Sequence, residues 1–416
     1  MEPLLSFSRL ISICLTVSLL INCTDNNTEP LNNDVQDNTN EALFPCENGL
    51  ADIYPCNGYD LMAYITPSEM NADEANDSWG WTDLTTGKEY ALIGTTSNTS
   101  FVDITIPNAP IYLGRLETAT VNSPWRDVKV YNNHAFIVSE APSHGMQVFD
   151  LTRLRDVTNP PEAFTADTHF TEFGSAHNIV INETSGYAYI VGTTSKGESI
   201  SGGAPIFINI QNPTAPVMEG FMTQGGYSHD AQVVTYNGPD TDYTDREILI
   251  GSNENEVVIA DVTDKTNPTI ISTISYSNVD YTHQGWFTRD MRYFIVGDEE
   301  DEKNIGNNTR TIIFDFKDLD NPLYHFDYFG ESVAIDHNGY IKDNIYYLAS
   351  YTAGVRMLDI SDIGSATMTE VGYFDTYPKD NATAFNGTWN VYPYFTSGNI
   401  IISDIEKGLF IIRKSN

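Results

Sequence analysis

The chain has 416 residues, of which 57 are acidic and 21 are basic, so its formal net charge is −36 at pH 7. Nucleic acid and anionic lipid head groups are poor partners for such a surface, and we expect no nucleic-acid ligand. The length suits two domains or one large all-β body, and the 24 Tyr, 20 Phe and 29 Gly favour the second. The acidity is compatible both with solubility in a salty medium and with binding of cations.

Residues 1–22 are expected to be a secretory signal peptide. One Arg precedes twelve apolar or small residues from Leu10 to Ile21, a run too short to span a bilayer. The following run, "LLINC", resembles the lipobox of bacterial lipoproteins, in which signal peptidase cuts before a cysteine that then carries the lipid, although Asn22 departs from the usual Gly, Ala or Ser. We therefore expect Cys23 to be the lipidated N-terminus. The alternative is an ordinary signal peptide in which Cys23 is incidental.

Residues 23–42 are expected to form a flexible, lipid-anchored stalk. The run "TDNNTEPLNNDVQDNTNEA" is rich in Asn and acidic residues and contains no Lys or Arg, a composition that cannot bury a core. The predicted location is therefore outside the cytoplasm, as an outer-membrane or cell-surface lipoprotein attached to the membrane by its lipid, or otherwise as a secreted protein. Residues 43–416 would form the folded domain.

Two cysteines remain after maturation, because Cys14 leaves with the signal peptide and Cys23 would carry the lipid. These are Cys46 and Cys56, which flank a short segment in "FPCENGLADIYPC". An exported chain meets an oxidising compartment, so we expect a disulfide rather than a metal or redox pair.

A polar pair of residues recurs along the chain and indicates an internal repeat. Successive pairs begin 51 to 54 residues apart from residue 126 onward, and a seventh pair lies 44 residues before the first of them. In chain order the pairs are Thr82-Asp83, Arg126-Asp127, His177-Asn178, His229-Asp230, His283-Gln284, His337-Asn338 and Trp389-Asn390.

Each pair is followed by four short strands separated by turn residues, a pattern typical of a propeller blade. The second strands include "EYALIG", "YAYIVG" and "RYFIVG", and the third include "SFVDI", "VVIADV" and "TIIFDF". Seven units predict an all-β, seven-bladed β-propeller with almost no helix after residue 45. The last unit lacks a fourth strand, so we expect residues 59–65, "YDLMAYI", to supply it by pairing with residues 409–412.

The third strands "VVIADVTDKTNP" and "VRMLDIS" resemble LVIVD repeats. Together with sequence segments that do not repeat, among them "WGWTD", "SHGMQVFDL", "GDEEDE" and "GTWNVYP", they resemble the choice-of-anchor B family from about Cys46 to the end of the chain. The resemblance implies a propeller and an exterior location, with the anchor varying between members. It implies no established reaction.

Polar side chains are expected to converge at one end of the channel. In a propeller the first strands line the channel, and the loops leading into them open beside the loops that follow the second strands. Candidate ligand-binding residues at the strand starts are Arg126, Asp127, Asn178, Asp230, Gln284, Asn338 and Trp389. After the second strands they are Glu140, His144, Asn253, Asp298, Glu299 and Asp404.

Four histidines, His177, His229, His283 and His337, come from consecutive blades and are candidate metal ligands. Neutral imidazole is a common ligand of Zn, Cu and Fe, so a transition metal could bind within this ring. The alternative is structural, because a histidine repeated in every blade of WD-type propellers holds each blade together by hydrogen bonds. Since successive residues of a strand point to opposite sides, only one member of each pair is expected to face the channel.

The loop of residues 297–308, "GDEEDEKNIGNN", contains five consecutive acidic residues. Such carboxylates repel one another unless a cation or an Arg lies among them, and Ca²⁺ takes oxygen ligands of this kind. Asp301 and Glu302 are therefore candidate Ca²⁺ ligands, although the spacing is not that of an EF-hand. The alternative is a solvated acidic loop.

These observations favour a surface-tethered binding or scaffold protein that uses the polar face around the channel to hold an unknown extracellular ligand. No G-x-S-x-G motif, reactive cysteine or phosphate-binding glycine loop is present. One alternative is a metal-dependent extracellular enzyme using the histidines. Another is a polysaccharide-active enzyme, for which Glu140, Asp230 and Asp298 could supply a carboxylate pair if two of them are suitably spaced. Whether the protein is an enzyme stays open.

The lipid anchor generates a direct prediction. We expect Cys23→Ala to release the protein from the membrane into the soluble fraction, because the variant has no thiol to acylate. Fractionation and electrophoretic mobility measure this. A variant that stays in the membrane with unchanged mobility would show that the lipobox interpretation is wrong.

Overall fold

The computed structural model describes residues 41–194 and 196–416. The predicted signal peptide, the lipid attachment site at Cys23 and the predicted stalk up to residue 40 lie outside these residues. Within the described ranges the chain is a seven-bladed β-propeller, which confirms the predicted fold class.

The four repeated strands of each blade form an antiparallel sheet, and the first strands of neighbouring blades lie against one another around the channel. Three strands precede the first blade: β1 (Leu50–Ala51), β2 (Tyr54–Asn57) and β3 (Tyr59–Ile65). The first blade contains β4 (Ala75–Thr82), β5 (Glu89–Thr95), β6 (Asn98–Asp103) and β7 (Ile111–Glu117). The second contains β8 (Arg126–Tyr131), β9 (His134–Ser139), β10 (Met146–Asp150) and, after the short strand β11 (Glu162–Phe164), β12 (Thr168–Phe170). The third contains β13 (Asn178–Asn182), β14 (Tyr187–Val191), β15 (Ile206–Asn209) and β16 (Val217–Phe221).

The remaining blades repeat this arrangement. The fourth contains β17 (Asp230–Thr235), β18 (Glu247–Ser252), β19 (Val257–Asp261) and β20 (Thr269–Ile274). The fifth contains β21 (Thr282–Phe287), β22 (Tyr293–Asp298), β23 (Arg310–Asp315) and β24 (Leu323–Phe329). The sixth contains β25 (Gly339–Lys342), β26 (Ile345–Ala349), β27 (Val355–Asp359) and β28 (Thr369–Phe374). The seventh contains β29 (Thr388–Tyr392), β30 (Asn399–Asp404) and β31 (Gly408–Lys414), with β3 as its fourth strand.

The ring closes where β3 pairs antiparallel with β31. Leu61 lies opposite Ile412 and Ile65 lies opposite Leu409, which confirms that residues 59–65 complete the last blade. An unpaired β31 would expose a row of backbone donors and acceptors. The pairing with β3 provides hydrogen-bond partners for these groups and also joins the two ends of the domain.

Two blades carry additional strands that the repeat did not predict. Strand β11 pairs parallel with β7 as a fifth strand of the first blade, and its Glu162 backbone lies so close to Gly114 that a Cβ there would meet the Glu162 carbonyl oxygen at 2.0 Å. Strand β2 pairs with β28, and β1 with β2, so the sixth blade has six strands. A disulfide between Cys46 and Cys56, with their Cα atoms 6.0 Å apart, closes the segment that contains this hairpin.

Helices are short and lie in the loops. They are α1 (Lys196–Ser201), α2 (Asp301–Asn304) and the 3₁₀ helices Ser68–Met70, Leu151–Asp156, Thr241–Tyr243 and Ile363–Ser365. None of the helices in the described ranges is long and apolar enough to cross a membrane.

The core lies between the faces of adjacent blades, because second and third strands are apolar on both sides. Between the fourth and fifth blades, for example, Ile250 and Ile259 belong to one buried cluster with Phe294 and Phe314. Equivalent clusters recur around the ring, as sheet-on-sheet packing requires.

The closing strand gives a stability prediction. Leu61 is fully buried against Phe410 and Ile412, so Leu61→Ala should lower the free energy of unfolding by about 2–5 kcal/mol. Leu84→Ala, at a side chain that is 91% exposed, should change it by less than about 0.5 kcal/mol. Denaturant unfolding of both variants measures this, and equal small effects would contradict closure by β3.

Candidate functional site

A cavity of about 560 Å³, which we call the mouth cavity, opens where the loops leading into all seven first strands meet. Among the described residues, its lining contains no Lys or Arg. It includes the four histidines His177, His229, His283 and His337, the five glutamates Glu74, Glu140, Glu299, Glu300 and Glu406, and the six aromatic residues Trp125, Tyr227, Tyr281, Tyr351, Phe385 and Trp389. The starts of the first strands and the ends of the second strands therefore meet around one cavity, as the sequence predicted.

The four histidines form an arc of neighbouring rings along the lining of this cavity. Ring centroids lie 4.4 Å apart between His177 and His229, 4.6 Å between His229 and His283, and 4.5 Å between His283 and His337. Trp389 continues the arc, 4.9 Å from His337. The repeat of about fifty residues thus places one ring per blade at the same level of the channel.

The histidines differ in their hydrogen-bond partners. His177 Nδ1 donates to Glu140 Oε1 at 2.7 Å, and His229 Nδ1 lies 2.9 Å from the Tyr281 hydroxyl. His337 Nδ1 donates to the backbone carbonyl of Trp389 at 2.6 Å. The Nε2 atom of His229 and the Nδ1 atom of His283 are buried and have no hydrogen-bond partner among the described residues.

Glu299 lies between His283 and His337. The Nε2 atom of His283 is 3.6 Å from Glu299 Oε2, and the Nε2 atom of His337 is 3.6 Å from Oε1. Tyr351 donates to Oε1 at 2.8 Å. The three residues offer ligand atoms that all lie within 4.8 Å of one another, which is compact enough to hold one metal ion.

Burial controls the charge of this group. It holds the pKa values of His229 and His283 well below the ordinary value and lowers that of His337 to about 3. It raises the pKa of Glu299 to about 7, although the hydrogen bond from Tyr351 opposes the shift. Three of the four imidazoles are therefore neutral at physiological pH, the form in which they bind metals.

Both members of each histidine-containing pair line the channel, at two levels. The second members lie in a separate cavity of about 50 Å³, which also contains Trp79, Lys129 and Trp286. These second members are Asn178, Asp230, Gln284 and Asn338. The expectation that only one member would face the channel is wrong.

The reason is local backbone geometry. His177, His229 and His337 precede their strands, so strand alternation does not apply to them. At His283 the pairing of β21 with β22 jumps from Thr282 to Gly285, a bulge that leaves the His283–Gln284 pair outside the regular ladder.

Several predicted ligand-binding residues join neighbouring blades. Asp127 accepts hydrogen bonds from Lys129 Nζ at 2.5 Å and from the Ile179 backbone N–H at 2.8 Å, which links the second and third blades. Gln284 accepts from the backbone N–H of Gly339 at 2.9 Å, which links the fifth and sixth. These contacts position the first strands that carry the histidines.

Arg126 and His144 lie together in the interior and do not line the mouth cavity. Arg126 donates to His144 Nε2 at 3.0 Å and to the Thr95 carbonyl at 3.1 Å. Burial lowers the pKa of Arg126 to about 10, and burial together with Arg126 lowers the pKa of His144 to about 4.

Asp298, Asp404 and Asn253 also lie outside the lining of the mouth cavity, and they hold loops in place. Asp298 accepts from the Tyr276 hydroxyl and from two backbone N–H groups. Asp404 accepts from the Thr376 hydroxyl at 2.6 Å, and Asn253 donates to the Gly225 carbonyl. Glu140 lines the mouth cavity, Asp230 lines the deeper cavity and Asp298 is engaged in the interior, so the three do not share one cavity. The polysaccharide-active alternative stays a prediction.

The acidic loop turns inward at Asp301 and Glu302, which does not fit the alternative of a solvated loop. Asp301 and Glu302 are buried in α2. The Arg310 guanidinium lies 3.4 Å from Asp301, and the Arg310 backbone N–H donates to Glu302 Oε1 at 2.9 Å. An Arg therefore lies among these carboxylates. Within the described ranges, the carboxylate and imidazole groups compact enough for an ion do not include Asp301 or Glu302.

Tyr351 is a cavity residue that the sequence analysis missed. It follows the second strand of the sixth blade in "LASY", at the place that Glu299 occupies in "VGDE" and Glu140 in "IVSE". Alignment of these three segments could have identified it. Trp125 and Phe385 lie in loops without a repeated position and carried no such signal.

Comparisons with known proteins support the fold alone. No family model and no curated protein matches the chain. A solved structure of a protein from Lactobacillus plantarum is 11% identical with a TM-score of 0.51, over 80% of this chain and 89% of that chain. The C-terminal WD40 domain of Sif2 is 12% identical with a TM-score of 0.49, over 82% of each chain. The β-propeller domain of Cps50 (Swd1) from Myceliophteria thermophila is 8% identical with a TM-score of 0.48, over 86% of this chain and 100% of that chain. The resemblance to the choice-of-anchor B family stays a prediction.

Burial of Glu302 generates a pH prediction. Desolvation, reinforced by Asp301, raises its pKa from 4.5 to about 9, so the folded state binds this proton more tightly than the unfolded state. The stabilising contribution is complete below pH 4.5 and is lost as the pH rises towards 9. Glu302→Gln cannot ionise and keeps an acceptor for the Arg310 N–H, so its melting temperature should fall less over this range, by at least about 2 °C at the alkaline end.

Thermal melts from pH 5 to 9 measure this difference. Glu300→Gln, on the same turn but half-buried, is the matched control and should follow the wild-type curve. A Glu302→Gln curve parallel to wild type would contradict the prediction.

Proposed function

We propose that the protein is an exported, surface-tethered binding protein that takes a positively charged organic ligand into the mouth cavity. The observation that carries this proposal is the composition of the lining, which has five glutamates and, in the part of the chain that the structure describes, no Lys or Arg. A ligand with an ammonium group would supply the charge that this cavity lacks.

Aromatic faces support the same ligand class. Trp125 and Phe385 line the cavity and are 42% and 40% exposed, so part of each ring is open to a ligand. With Trp389, Tyr227 and Tyr281 they place several π-systems around the cavity. An ammonium group over such faces gains about 0.5–2 kcal/mol per contact, depending on desolvation.

Charge further from the cavity would favour capture of such a ligand. The net charge of −36 attracts cations over the whole surface and would raise their association rate at low ionic strength. Lys303 is a cation beside the rim, 3.7 Å from Glu300 and 5.0 Å from the Phe385 ring centroid. Its ammonium marks a place where the ligand's own ammonium could bind against the same two groups.

Export and tethering rest on the N-terminal sequence. The run "LLINC" supports lipidation at Cys23, and the Asn-rich segment after it supports a stalk. A propeller held on a stalk would present the mouth cavity to extracellular ligands.

Calorimetric titration with spermidine and choline, with glutamate as the anionic control, tests the ligand class. We expect saturable binding of at least one cation, weakened by added salt, and no binding of glutamate. Trp125→Ala and Glu140→Gln should each weaken binding about tenfold, equivalent to about 1.4 kcal/mol.

Glu47→Gln is the matched control, because this exposed carboxylate belongs to the segment at the outer edge of the sixth blade. It should leave the affinity unchanged. Absence of saturable binding by both cations, or equal weakening by Glu47→Gln, would overturn the proposal.

A further inference from the structure

We propose that His283, Glu299 and His337 bind a divalent transition-metal ion within the mouth cavity. The inference goes beyond the proposed function, because it assigns a separate ligand to the same cavity. Metal–ligand distances of about 2.0–2.2 Å place neighbouring ligand atoms of a tetrahedral ion roughly 3.4 Å apart. The two N–O separations of 3.6 Å are close to that spacing without any rearrangement.

The orientation of His337 indicates a ligand rather than a structural histidine. Its Nδ1 donates to the Trp389 carbonyl, so its neutral ring carries a lone pair on Nε2. That lone pair faces Glu299 Oε1 at 3.6 Å, a distance too long for a hydrogen bond. Two acceptors that face each other in a buried site repel, and a cation between them would turn this repulsion into attraction.

His283 supplies the second nitrogen. Its Nε2 faces the other oxygen of Glu299, and its Nδ1 has no hydrogen-bond partner among the described residues. A buried polar atom without a partner is uncommon and needs an explanation. An ion bound at Nε2 would not pair this atom, so the case for His283 as a ligand rests on the position of its Nε2 beside Glu299.

The surrounding groups hold two of the three ligands, His337 and Glu299, as metal sites require. Ligating histidines usually donate their second nitrogen to a carbonyl or carboxylate, and ligating carboxylates accept further hydrogen bonds. The Trp389 carbonyl does this for His337, and the Tyr351 hydroxyl does it for Glu299 at 2.8 Å.

The ligand set selects the class of ion. Two imidazoles and one carboxylate suit Zn²⁺, Fe²⁺ or a similar first-row ion, whereas Ca²⁺ and Mg²⁺ prefer oxygen ligands. Three protein ligands leave a position open towards the cavity. His229 lies beside His283 and its Nε2 has no partner among the described residues, so it is placed to approach that position.

The site therefore differs from a ring of four equivalent histidines. His177 is engaged with Glu140 at 2.7 Å and does not belong to the compact group. This distinction makes His177 a control within the same arc.

The experiment uses full-length protein without a His-tag, stripped with chelator and titrated with Zn²⁺ by calorimetry and with Co²⁺ by visible absorption. We expect one equivalent to bind, with Co²⁺ giving the absorption of a site that contains nitrogen ligands, and no competition from millimolar Ca²⁺. His283→Ala and His337→Ala should each weaken binding at least 100-fold.

Glu299→Gln preserves the size of the side chain and an acceptor for Tyr351, so it should fold normally and still lose at least tenfold in affinity. His177→Ala and His134→Ala should leave metal binding intact. Absence of stoichiometric binding by wild type, unchanged affinity in Glu299→Gln, or equal loss in His177→Ala would each overturn the proposal.

The two proposals fail separately. Trp125→Ala should lose affinity for the organic cation while it still binds Zn²⁺ with wild-type affinity. Binding of spermidine or choline without Zn²⁺ would overturn the metal site and leave the proposed function in place. Binding of Zn²⁺ alone would overturn the organic ligand and support the metal site.

Discussion

The pairing of β3 with β31 is the contact on which the rest of the molecule depends. Each blade buries its faces only against its two neighbours, so the seventh and first blades acquire their full packing when the ring is closed. Ile65 and Leu409 lie in the cluster that this closure completes, together with Ile93 of the first blade. The mouth cavity takes residues from the start of every first strand, and its shape therefore follows from the closed ring.

The repeated unit supplies a common scaffold that individual blades adapt. The position after the second strand is a glutamate in the second and fifth blades and a tyrosine in the sixth. These side chains then contact the histidines of neighbouring blades, as Glu140 does with His177 and Glu299 with His337. Equivalent positions in different blades thus present different side chains to the histidines. The site is therefore asymmetric although the fold is nearly symmetric.

The fold was predictable because its signals are local and repeated. Spacing, strand composition and the missing last strand identified seven blades and the closing role of residues 59–65. Strand β11 was not predictable, since its parallel pairing with β7 depends on the path of a long loop rather than on a sequence pattern.

For the candidate site, the sequence predicted which residues come together in one region but not the contacts that each side chain makes. The sequence brought the four histidines to one region, but it could not distinguish the cavity-lining Glu299 from its neighbour Asp298, which turns to the opposite side and binds loop backbone. It also could not show that Arg310, the first residue of β23, turns back to lie beside Asp301. Both outcomes depend on side-chain direction and tertiary contact.

The disulfide at the start of the domain has a mechanical consequence. A pulling force applied to the chain before residue 46 passes through the Cys46–Cys56 bond directly to strand β2, because the covalent bridge is far stiffer than the segment that it encloses. Residues 47–55, including β1, therefore carry none of the tension. The closing strand takes part of the same force earlier, because Phe44 is paired with Leu61 through two backbone hydrogen bonds. The rest passes from β2 to β28, so the sixth blade shares the strain before the ring can open.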